Sequence, residues 1–348
     1  MKARILLLIA FLSLISCKRE QKKSSSDATS ISNSVQYHEQ NGILQFKSGN
    51  FTYNFKQNQV PFKKVILLNA SMAGYISEIG VEDKVIGVSS PEYIYSEKIQ
   101  ALLKQGKIQN VGSDQKYDVE KILSLKPDAI FTNHIASFDN TYQLLKNNGI
   151  QVIFLDEYME QKPLEKAAYI KLFGKLFGKE KEANDKYTEV EKNYNDLKQL
   201  ALKAKDKPKV LANEMYGDVW YLPGGKTSVA NFISDANADY ILQNNTDEKA
   251  ITMSFEEVFA KSPDVKYWIN AGNHPSKKEM LSMNPFYAKL DVYNNGKIYV
   301  ITGKERLQAN DFFESGIVRA DLVLKDYIKI FHPELLPDYQ LTYLKELQ

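Results

Sequence analysis

The sequence predicts an α/β protein made of two doubly wound lobes with mostly parallel sheets, bridged by a single long α-helix. From about residue 62, short apolar runs alternate with helical stretches, a pattern that implies crossover connections and parallel strands. A helix–Pro–Asp–strand segment of the first half recurs in the second half. Between the halves, residues 179–204 contain neither Gly nor Pro, as a long uninterrupted helix requires.

The composition alone excludes several classes of protein and kinds of site. The chain has 348 residues, with 45 Lys and Arg against 43 Asp and Glu, and a single Cys. This length suggests about two domains. The near-zero charge balance argues against a nucleic-acid binder, which needs a basic face to displace counterions from phosphate. One Cys excludes a disulfide framework and a Cys-based zinc site.

Residues 1–16 have the pattern of a signal peptide. Lys2 and Arg4 precede an apolar run at 5–15, which is far shorter than the roughly 20 residues that a membrane-spanning helix needs. The run ends in Leu-Ile-Ser-Cys17, which resembles the lipobox of bacterial lipoproteins. In that family the Cys becomes the first residue and carries the lipid. We therefore expect Cys17 to be lipidated, the alternative being a plain secretory signal with a chance Cys.

Residues 17–60 are predicted to be the lipidated Cys and a flexible tether. Six Ser residues lie between positions 24 and 34, and the stretch around them is polar and without periodicity. Such a composition buries too little apolar surface to fold by itself.

Residues 61–160 are predicted to form the N-terminal lobe. Apolar runs at 65–68, 85–88, 129–131 and 152–155 indicate buried strands, with helices expected near 71–80, 95–106, 118–125 and 139–148.

Residues 207–348 are predicted to form the C-terminal lobe as a repeat of the first. The segment from Glu120 through Pro127 to Asn133 recurs from Glu256 through Pro263 to Asn270. Chance could place this common α/β turn twice, but the shared offset between Glu and Pro favours a structural duplication. Further strands are expected at 210–212 and 298–301.

The connecting segment, residues 161–206, is predicted to carry the long helix. Its apolar residues follow 3-4-3-4 spacing and form one stripe. They are Tyr187, Val190, Tyr194, Leu197 and Ala201. A helix from residue 179 to about 204 would be roughly 39 Å long, enough to span two lobes lying side by side.

From about Pro61 to Leu344, the chain resembles the substrate-binding lipoproteins of ABC importers for iron chelates, haem and cobalamin. The motifs that carry the resemblance are Val-Ile-Gly-Val-Ser-Ser at 85–90, Val-Glu-Lys-Ile-Leu-Ser-Leu-Lys-Pro-Asp-Ala-Ile at 119–130, Leu-Lys-Asn-Asn-Gly-Ile-Gln-Val-Ile at 145–153 and Ser-Phe-Glu-Glu-Val-Phe-Ala-Lys-Ser-Pro-Asp at 254–264. The tail at 310–324 looks like the final helix of the variant found in Bacteroidetes-type bacteria.

The resemblance implies a binding protein without a resident cofactor. Its ligand would lie in the cleft between the lobes, and the long helix would keep the closing motion small. The protein would be a monomeric lipoprotein that faces the periplasm, captures an iron complex (a ferric siderophore or haem) and delivers it to an ABC permease with its ATPase. The family docks onto Arg residues of the permease through one Glu on each lobe. Matched by motif, these are Glu120 and Glu256, with Glu257 as an alternative to Glu256.

Ligand contacts are expected in the loops at the carboxyl ends of the strands, where doubly wound sheets bind their ligands. The candidate contacts are Tyr93, Tyr95, His134, Tyr216, Trp220, Arg306, Asn310 and Phe312. Aromatic rings there would stack on a planar ligand, and Arg306 would pair with an anionic group. Structural alternatives remain open: the rings as loop anchors, Arg306 in a salt bridge, and His134 and His274 as hydrogen-bonded loop residues.

Two rival functions are weaker. The cobalamin binders of this family carry several Trp residues in these loops, whereas only Trp220 is suitably placed here, which favours an iron chelate. Haem remains a candidate ligand, because haem binders of this kind use a Tyr or His axial ligand and Tyr93, Tyr95 and His134 are available. A cell-envelope enzyme on the same fold would need a clustered acid–base or metal site. The sequence contains neither a Gly-x-Ser-x-Gly elbow nor a His-Glu-x-x-His motif, so we expect no enzymatic activity.

Overall fold

The computed structural model describes residues 28–348. The predicted signal peptide, Cys17 and the first part of the predicted tether lie outside the described residues. Within residues 28–348, no helix is both long and apolar enough to cross a membrane.

Residues 29–56 form a four-stranded antiparallel sheet, so the predicted tether does not extend to residue 60. Its strands are β1 (Thr29–Ser30), β2 (Val35–Gln40), β3 (Ile43–Ser48) and β4 (Phe51–Lys56), paired in that order. Leu44, Phe46 and Phe55 alternate with polar residues and are buried against the N-terminal lobe. Asn41 and Gly42 both have positive φ angles, as the two-residue turn of a hairpin requires. The Ser-rich composition of residues 24–34 therefore does not indicate the structure of residues 35–56, which form strands.

The N-terminal lobe is a five-stranded parallel sheet with helices on both faces. Its elements are β5 (Val65–Leu67), α1 (Ser71–Glu78), β6 (Val85–Val88), α2 (Glu97–Lys104), β7 (Gln109–Asn110), α3 (Val119–Leu125), β8 (Ala129–Thr132), α4 (Asp139–Asn147) and β9 (Gln151–Phe154). The strand order is β7-β6-β5-β8-β9. Val65 and Leu67 belong to the core on one face of the sheet and Ile66 to the core on the other. This alternation confirms the doubly wound lobe.

Two helices follow the N-terminal lobe, and the second one connects the lobes. α5 (Pro163–Phe177) packs mainly in the N-terminal core and ends at Gly178, whose φ of 65° lies in the left-handed region. α6 (Glu180–Ala201) is the predicted bridge. Its Ala183 lies in the N-terminal core, whereas Val190 and Tyr194 lie in the C-terminal core. The predicted stripe is thus confirmed on a helix of 22 residues, about 33 Å long.

The C-terminal lobe repeats the N-terminal arrangement. Its elements are β10 (Lys209–Ala212), β11 (Met215–Tyr216), β12 (Val219–Pro223), α7 (Ser228–Asp235), β13 (Asp239–Tyr240), β14 (Ala250–Met253), α8 (Phe255–Lys261), β15 (Val265–Ile269), α9 (Lys277–Met283), α10 (Asp291–Asn295), β16 (Lys297–Val300), β17 (Glu305–Arg306), β18 (Ala309–Asn310), α11 (Ser315–Val318), α12 (Ala320–Phe331) and β19 (Lys345–Glu346). The main sheet has the order β13-β10-β15-β16-β19, with only β19 antiparallel. The pair α8–β15 therefore occupies the place that α3–β8 has in the first lobe, as the sequence recurrence predicts.

Residues 305–318, termed the strap, connect the lobes a second time. The strap begins as the β17–β18 hairpin of the C-terminal lobe and ends in α11, whose Val318 is buried in the N-terminal core. Gly74 of α1 lies directly against the backbone carbonyl of Glu314, leaving no room for a Cβ atom. α12 then returns to the C-terminal core, where Tyr327 is fully buried. The chain thus passes between the lobes three times.

The N-terminal sheet should contribute to the stability of the whole protein. Replacing Phe46, which is fully buried, with Ala should lower the free energy of unfolding by about 3–5 kcal/mol, because the mutation leaves a cavity. Ile43→Ala on the same strand is the control, since Ile43 is 42% exposed. Chemical denaturation measures both variants. Equal effects of the two mutations would show that the sheet is not part of the cooperatively folded body.

Candidate functional site

Loops from both lobes enclose a pocket of about 360 Å³, termed the hairpin pocket because the β17–β18 hairpin forms part of its wall. Its lining residues are Ala70, Tyr93, Gly272, Asn273, Ile301, Gln308, Asn310 and Phe313. Ala70 and Tyr93 follow strands of the first sheet, whereas Gly272 and Ile301 follow strands of the second. The pocket thus lies at the carboxyl edges of both sheets, where ligands of doubly wound folds bind. Two predicted contacts, Tyr93 and Asn310, lie in it together.

Two half-exposed rings, one from the N-terminal lobe and one from the strap, line the hairpin pocket. Tyr93 follows Pro91 in a short 3₁₀ turn and is 47% exposed. Phe313 belongs to the strap and is 53% exposed. Large rings left this open to solvent offer flat apolar surface to a ligand that enters between them.

Asn310 fixes the base of the strap rather than presenting a free amide. Its side chain donates a hydrogen bond to the carbonyl of Ile301 and accepts one from the N–H of Phe312 at 2.9 Å. The second bond turns Phe312 toward the C-terminal core and leaves the next residue, Phe313, in the pocket. The predicted contact at Phe312 is therefore displaced by one position.

Arg306 and Tyr95 meet at the boundary of the lobes, beside the hairpin pocket. The Arg306 guanidinium lies 2.7 Å from a carboxylate oxygen of Glu97 and 5.7 Å from the centre of the Tyr95 ring. Glu97 begins α2 of the N-terminal lobe, so this ion pair joins the lobes. The structure thus places Arg306 in the salt bridge that the sequence leaves open as the alternative to a ligand clamp.

Glu314 is the buried polar contact between the strap and the N-terminal lobe. Its two carboxylate oxygens accept hydrogen bonds from the backbone N–H groups of Tyr95 and Ser96, at 2.7 and 2.9 Å. Burial raises the pKa of the Glu314 carboxyl to about 7, although both N–H groups favour the charged form. The carboxyl therefore changes its charge near neutral pH at the point where the strap is fastened.

A second pocket, of about 410 Å³, lies between the lobes beside the start of α7 and is termed the helix pocket. Its lining residues are Tyr158, Met159, Glu160, Lys166, Asn213, Pro223, Thr227, Ser228, Val229, Glu248, Lys249 and Ala250. The amide of Asn231 donates to the carbonyl of Gln161 at 3.0 Å and joins the lobes here.

Carboxylates surround the one lysine of α5 that reaches the helix pocket. Burial lowers the pKa of the Lys166 ammonium, and the charges of Glu157 and Glu160 oppose this shift. Burial raises the pKa of Glu157, whose carboxylate accepts hydrogen bonds from Ser71 at 2.7 Å and Asn133 at 3.1 Å. This end of the cleft is polar, but its charges already balance one another.

Trp220 and Tyr216 do not lie in either pocket. Trp220 is fully buried, donates its indole N–H to the carbonyl of Ala212 at 3.2 Å and packs on Trp268. It is a core residue rather than the predicted ligand contact, because β12 turns its side chain inward. Tyr216, at the tip of the β11–β12 hairpin, is 83% exposed.

His134 is held by its own lobe. Its ring nitrogen lies 2.8 Å from a carboxylate oxygen of Asp139, and its ring packs against Phe51 and Phe154. Phe51 comes from the N-terminal sheet, which the sequence analysis does not foresee. The structural alternative for this residue is therefore the one observed, and His274 likewise contacts Glu214.

Six lining residues of the hairpin pocket are not among the predicted contacts: Ala70, Gly272, Asn273, Ile301, Gln308 and Phe313. They lie in loops at the carboxyl ends of strands or in the strap, so the loops are predictable while most of the individual side chains are not. The Asn-Asp pair at 310–311 is the available signal, since Asn often bonds a backbone N–H two residues on and so sets which of two adjacent rings faces inward.

The two predicted docking carboxylates occupy equivalent helix starts. Glu120 and Glu256 are each the second residue of their helix, α3 and α8, and both side chains are exposed. Glu257 instead accepts a hydrogen bond from the Ser254 N–H at 2.7 Å and completes a capping box. This bond lowers the pKa of Glu257 and commits its carboxylate to the helix. Of the two acidic neighbours, Glu256 is therefore the one free to meet a partner.

A family assignment follows from comparison with known proteins. The sequence profile of the family described as periplasmic binding protein matches residues 65–305, well over half of the chain. The chain belongs to the periplasmic binding protein family.

Relatives of this periplasmic binding protein come from distant organisms. It is 27% identical over 290 residues to an uncharacterised lipoprotein of Methanocaldococcus jannaschii, which covers 81% of this chain and 68% of the relative. It is 26% identical over 172 residues to an uncharacterised ABC transporter substrate-binding lipoprotein of Bacillus subtilis, which covers 49% and 52%. A periplasmic haem-binding protein of Pseudomonas aeruginosa has a similar fold, with a TM-score of 0.62 at 16% identity, covering 82% of this chain and 98% of that one.

The chemistry available in the cleft is recognition by rings, amides and paired charges. Among residues 28–348, no three His, Cys, Asp or Glu side chains come together in a group that could hold a metal ion.

The charge change of Glu314 should appear in the pH dependence of stability. The folded carboxyl keeps its proton up to about pH 7, whereas the unfolded one loses it near 4.5, so its contribution to stability falls as pH rises between these values. Glu314→Gln should remove this contribution, on the order of 3 kcal/mol over the window. Denaturant unfolding at about pH 5 and about pH 8 gives the free energy of unfolding of both proteins. The difference between wild type and variant should change between the two pH values by this amount.

The matched control is Glu305→Gln, an exposed carboxylate on the same hairpin. It should keep the wild-type pH profile. A Glu314→Gln profile parallel to that of the wild type would contradict a raised pKa at this position.

Proposed function

We propose that this protein is a lipid-anchored solute-binding receptor that captures an iron complex and delivers it to the permease of an ABC importer. The observation that carries the proposal is the hairpin pocket, which two family-type lobes build together from the carboxyl edges of their sheets. The two relatives named as lipoproteins support the lipid anchor, for which Cys17 is the attachment residue. Two or more acyl chains on one Cys anchor a protein stably.

The choice of an iron complex rests on two supports. The structural neighbour from Pseudomonas aeruginosa binds haem and shares the fold. The only Trp placed as in the cobalamin binders, Trp220, is buried in the core and cannot contact a ligand, which disfavours cobalamin. The rings available for stacking are Tyr93 of the N-terminal lobe and Phe313 of the strap, which both line the hairpin pocket.

Handover would use the two free carboxylates at equivalent places on the two lobes. Glu120 and Glu256 would dock onto basic residues of two permease subunits, so the complex would hold each lobe separately. Because the lobes are joined at three places, thermal opening alone would be small. The free energy of binding each lobe to its own permease subunit would offset the cost of opening the cleft, and the ligand would then be released.

Ligand binding should depend on Tyr93. Titrations with haem, a ferric siderophore and cobalamin, followed by calorimetry, should show tight binding of an iron complex. Tyr93→Ala should weaken that binding by about tenfold, because one wall of the pocket is lost. Tyr216→Ala is the control and should have no effect, since Tyr216 lies outside both pockets. Tight binding of cobalamin alone would overturn the ligand assignment.

Docking should depend on Glu120 and Glu256. Changing both to Arg reverses the charge of each contact, so uptake of the ligand should be abolished while ligand affinity stays at the wild-type value. Glu257→Gln is the control, because Gln also completes a capping box and should leave uptake intact. Transport into vesicles that contain the reconstituted importer measures all variants. Unchanged uptake with the double Arg variant would remove the docking assignment.

A further inference from the structure

We propose that the cleft selects an iron complex without net charge, held through amide- or hydroxamate-type oxygens, and rejects polyanionic complexes. The inference rests on the proposed function and narrows its substrate class. Hydroxamate groups carry single charges that together balance a ferric ion, so their complexes are neutral. Catecholate groups carry double charges and leave the complex polyanionic, and haem carries propionate carboxylates.

The hairpin pocket contains no Asp, Glu, Lys, Arg or His among its lining residues. An anionic group placed there would lose hydration and find no opposite charge in the wall. Removing an ion from water without a partner is strongly unfavourable. A neutral group of the same size avoids this cost.

The cations closest in sequence to the pocket wall already have partners. Arg306 lies 2.7 Å from Glu97, and Lys304 lies 3.4 Å from the buried carboxylate of Asp311. Both cations sit on the hairpin that forms the wall, but each would have to leave a carboxylate to meet a ligand. The hairpin therefore offers an entering anion no unpaired positive charge.

The helix pocket does not supply the missing charge. Its lining includes two cations, Lys166 and Lys249, and two anions, Glu160 and Glu248. The nearby carboxylate of Glu157 also acts on Lys166. Neither end of the cleft thus carries a surplus of positive charge that would attract a polyanion.

Polar groups that suit a neutral ligand are present and free. Within the described residues, the hydroxyl of Tyr93 and the amides of Asn273 and Gln308 make no hydrogen bond to the protein, and they come from three separate segments. Amide and hydroxyl donors pair with carbonyl and N–O oxygens, while Tyr93 and Phe313 pack on the faces of planar groups. The pocket can thus select a ligand by its shape and its hydrogen-bonding groups, without any ionic contact.

Calorimetry on the full chain in detergent tests the proposal with three probes: a ferric trihydroxamate, a ferric tricatecholate and haem. The neutral trihydroxamate should bind at least about tenfold more tightly than either anion. Its affinity should change less than about twofold between low and high salt, because no ionic contact is screened. Equal or tighter binding of the tricatecholate or of haem would overturn the charge selection while leaving the receptor function in place. Failure of all three probes to bind would remove both.

A charge-insertion variant tests the same point from the side of the protein. Gln308→Lys places one free cation in the pocket wall and should raise affinity for the tricatecholate about tenfold, with a salt dependence that the wild type lacks. Leu307→Lys is the matched control. Leu307 is next to Gln308 in the sequence, but its side chain is 91% exposed and lies outside the pocket lining. An equal gain from both variants would indicate non-specific attraction and would contradict selection in the pocket.

Discussion

The attachment of the strap to the N-terminal lobe is the constraint on which the rest of the molecule depends. A single bridging helix would leave the lobes one shared axis about which to bend. The strap adds a second and a third passage, and it is fixed where Gly74 meets the backbone of Glu314 and where Val318 enters the N-terminal core. Because the strap also supplies Asn310 and Phe313 to the hairpin pocket, the shape of the pocket is tied to the relative position of the lobes.

The attachment of the strap combines an apolar anchor, Val318, with polar contacts that water can replace. An apolar seam would hold the lobes closed in proportion to its buried area, whereas Glu314 is a buried carboxylate that two N–H groups only partly compensate. When the strap moves away, the carboxylate and both N–H groups regain water, which offsets the contacts that are lost. The ion pair of Arg306 with Glu97 is partly exposed and adds little stability. The polar contacts of the strap therefore contribute less to its attachment than an apolar seam of the same size would.

Local patterns predict the two lobes, the bridging helix and the loops of the site, but neither the N-terminal sheet nor most of the individual pocket side chains. Apolar runs, the helical stripe from Tyr187 to Ala201 and the recurrence around Pro127 and Pro263 each depend on residues near in sequence, so they identified strands, bridge and repeat correctly. Trp220 shows the limit: the side chain of a strand residue can face either side of its sheet, and Trp220 packs on Trp268 in the core. The surroundings of His134 were not predictable for a related reason, since Phe51, which packs on its ring, belongs to a sheet that directly follows a Ser-rich stretch.

The positions of Glu120 and Glu256 within their helices bear on the proposed docking role. In a capping box the carboxylate belongs to the third residue of the helix, the place that Glu257 occupies in α8. In α3 that place is Lys121, and the carboxylate of Asp118, the residue before the helix, accepts the Lys121 N–H instead. Attraction to the helix dipole is satisfied by an acidic residue anywhere in the first turn. Neither effect requires an acid at the second residue of both helices, yet Glu120 and Glu256 both stand there with exposed side chains. Capping therefore does not account for the shared, exposed position of Glu120 and Glu256, whereas the proposed docking onto two permease subunits does.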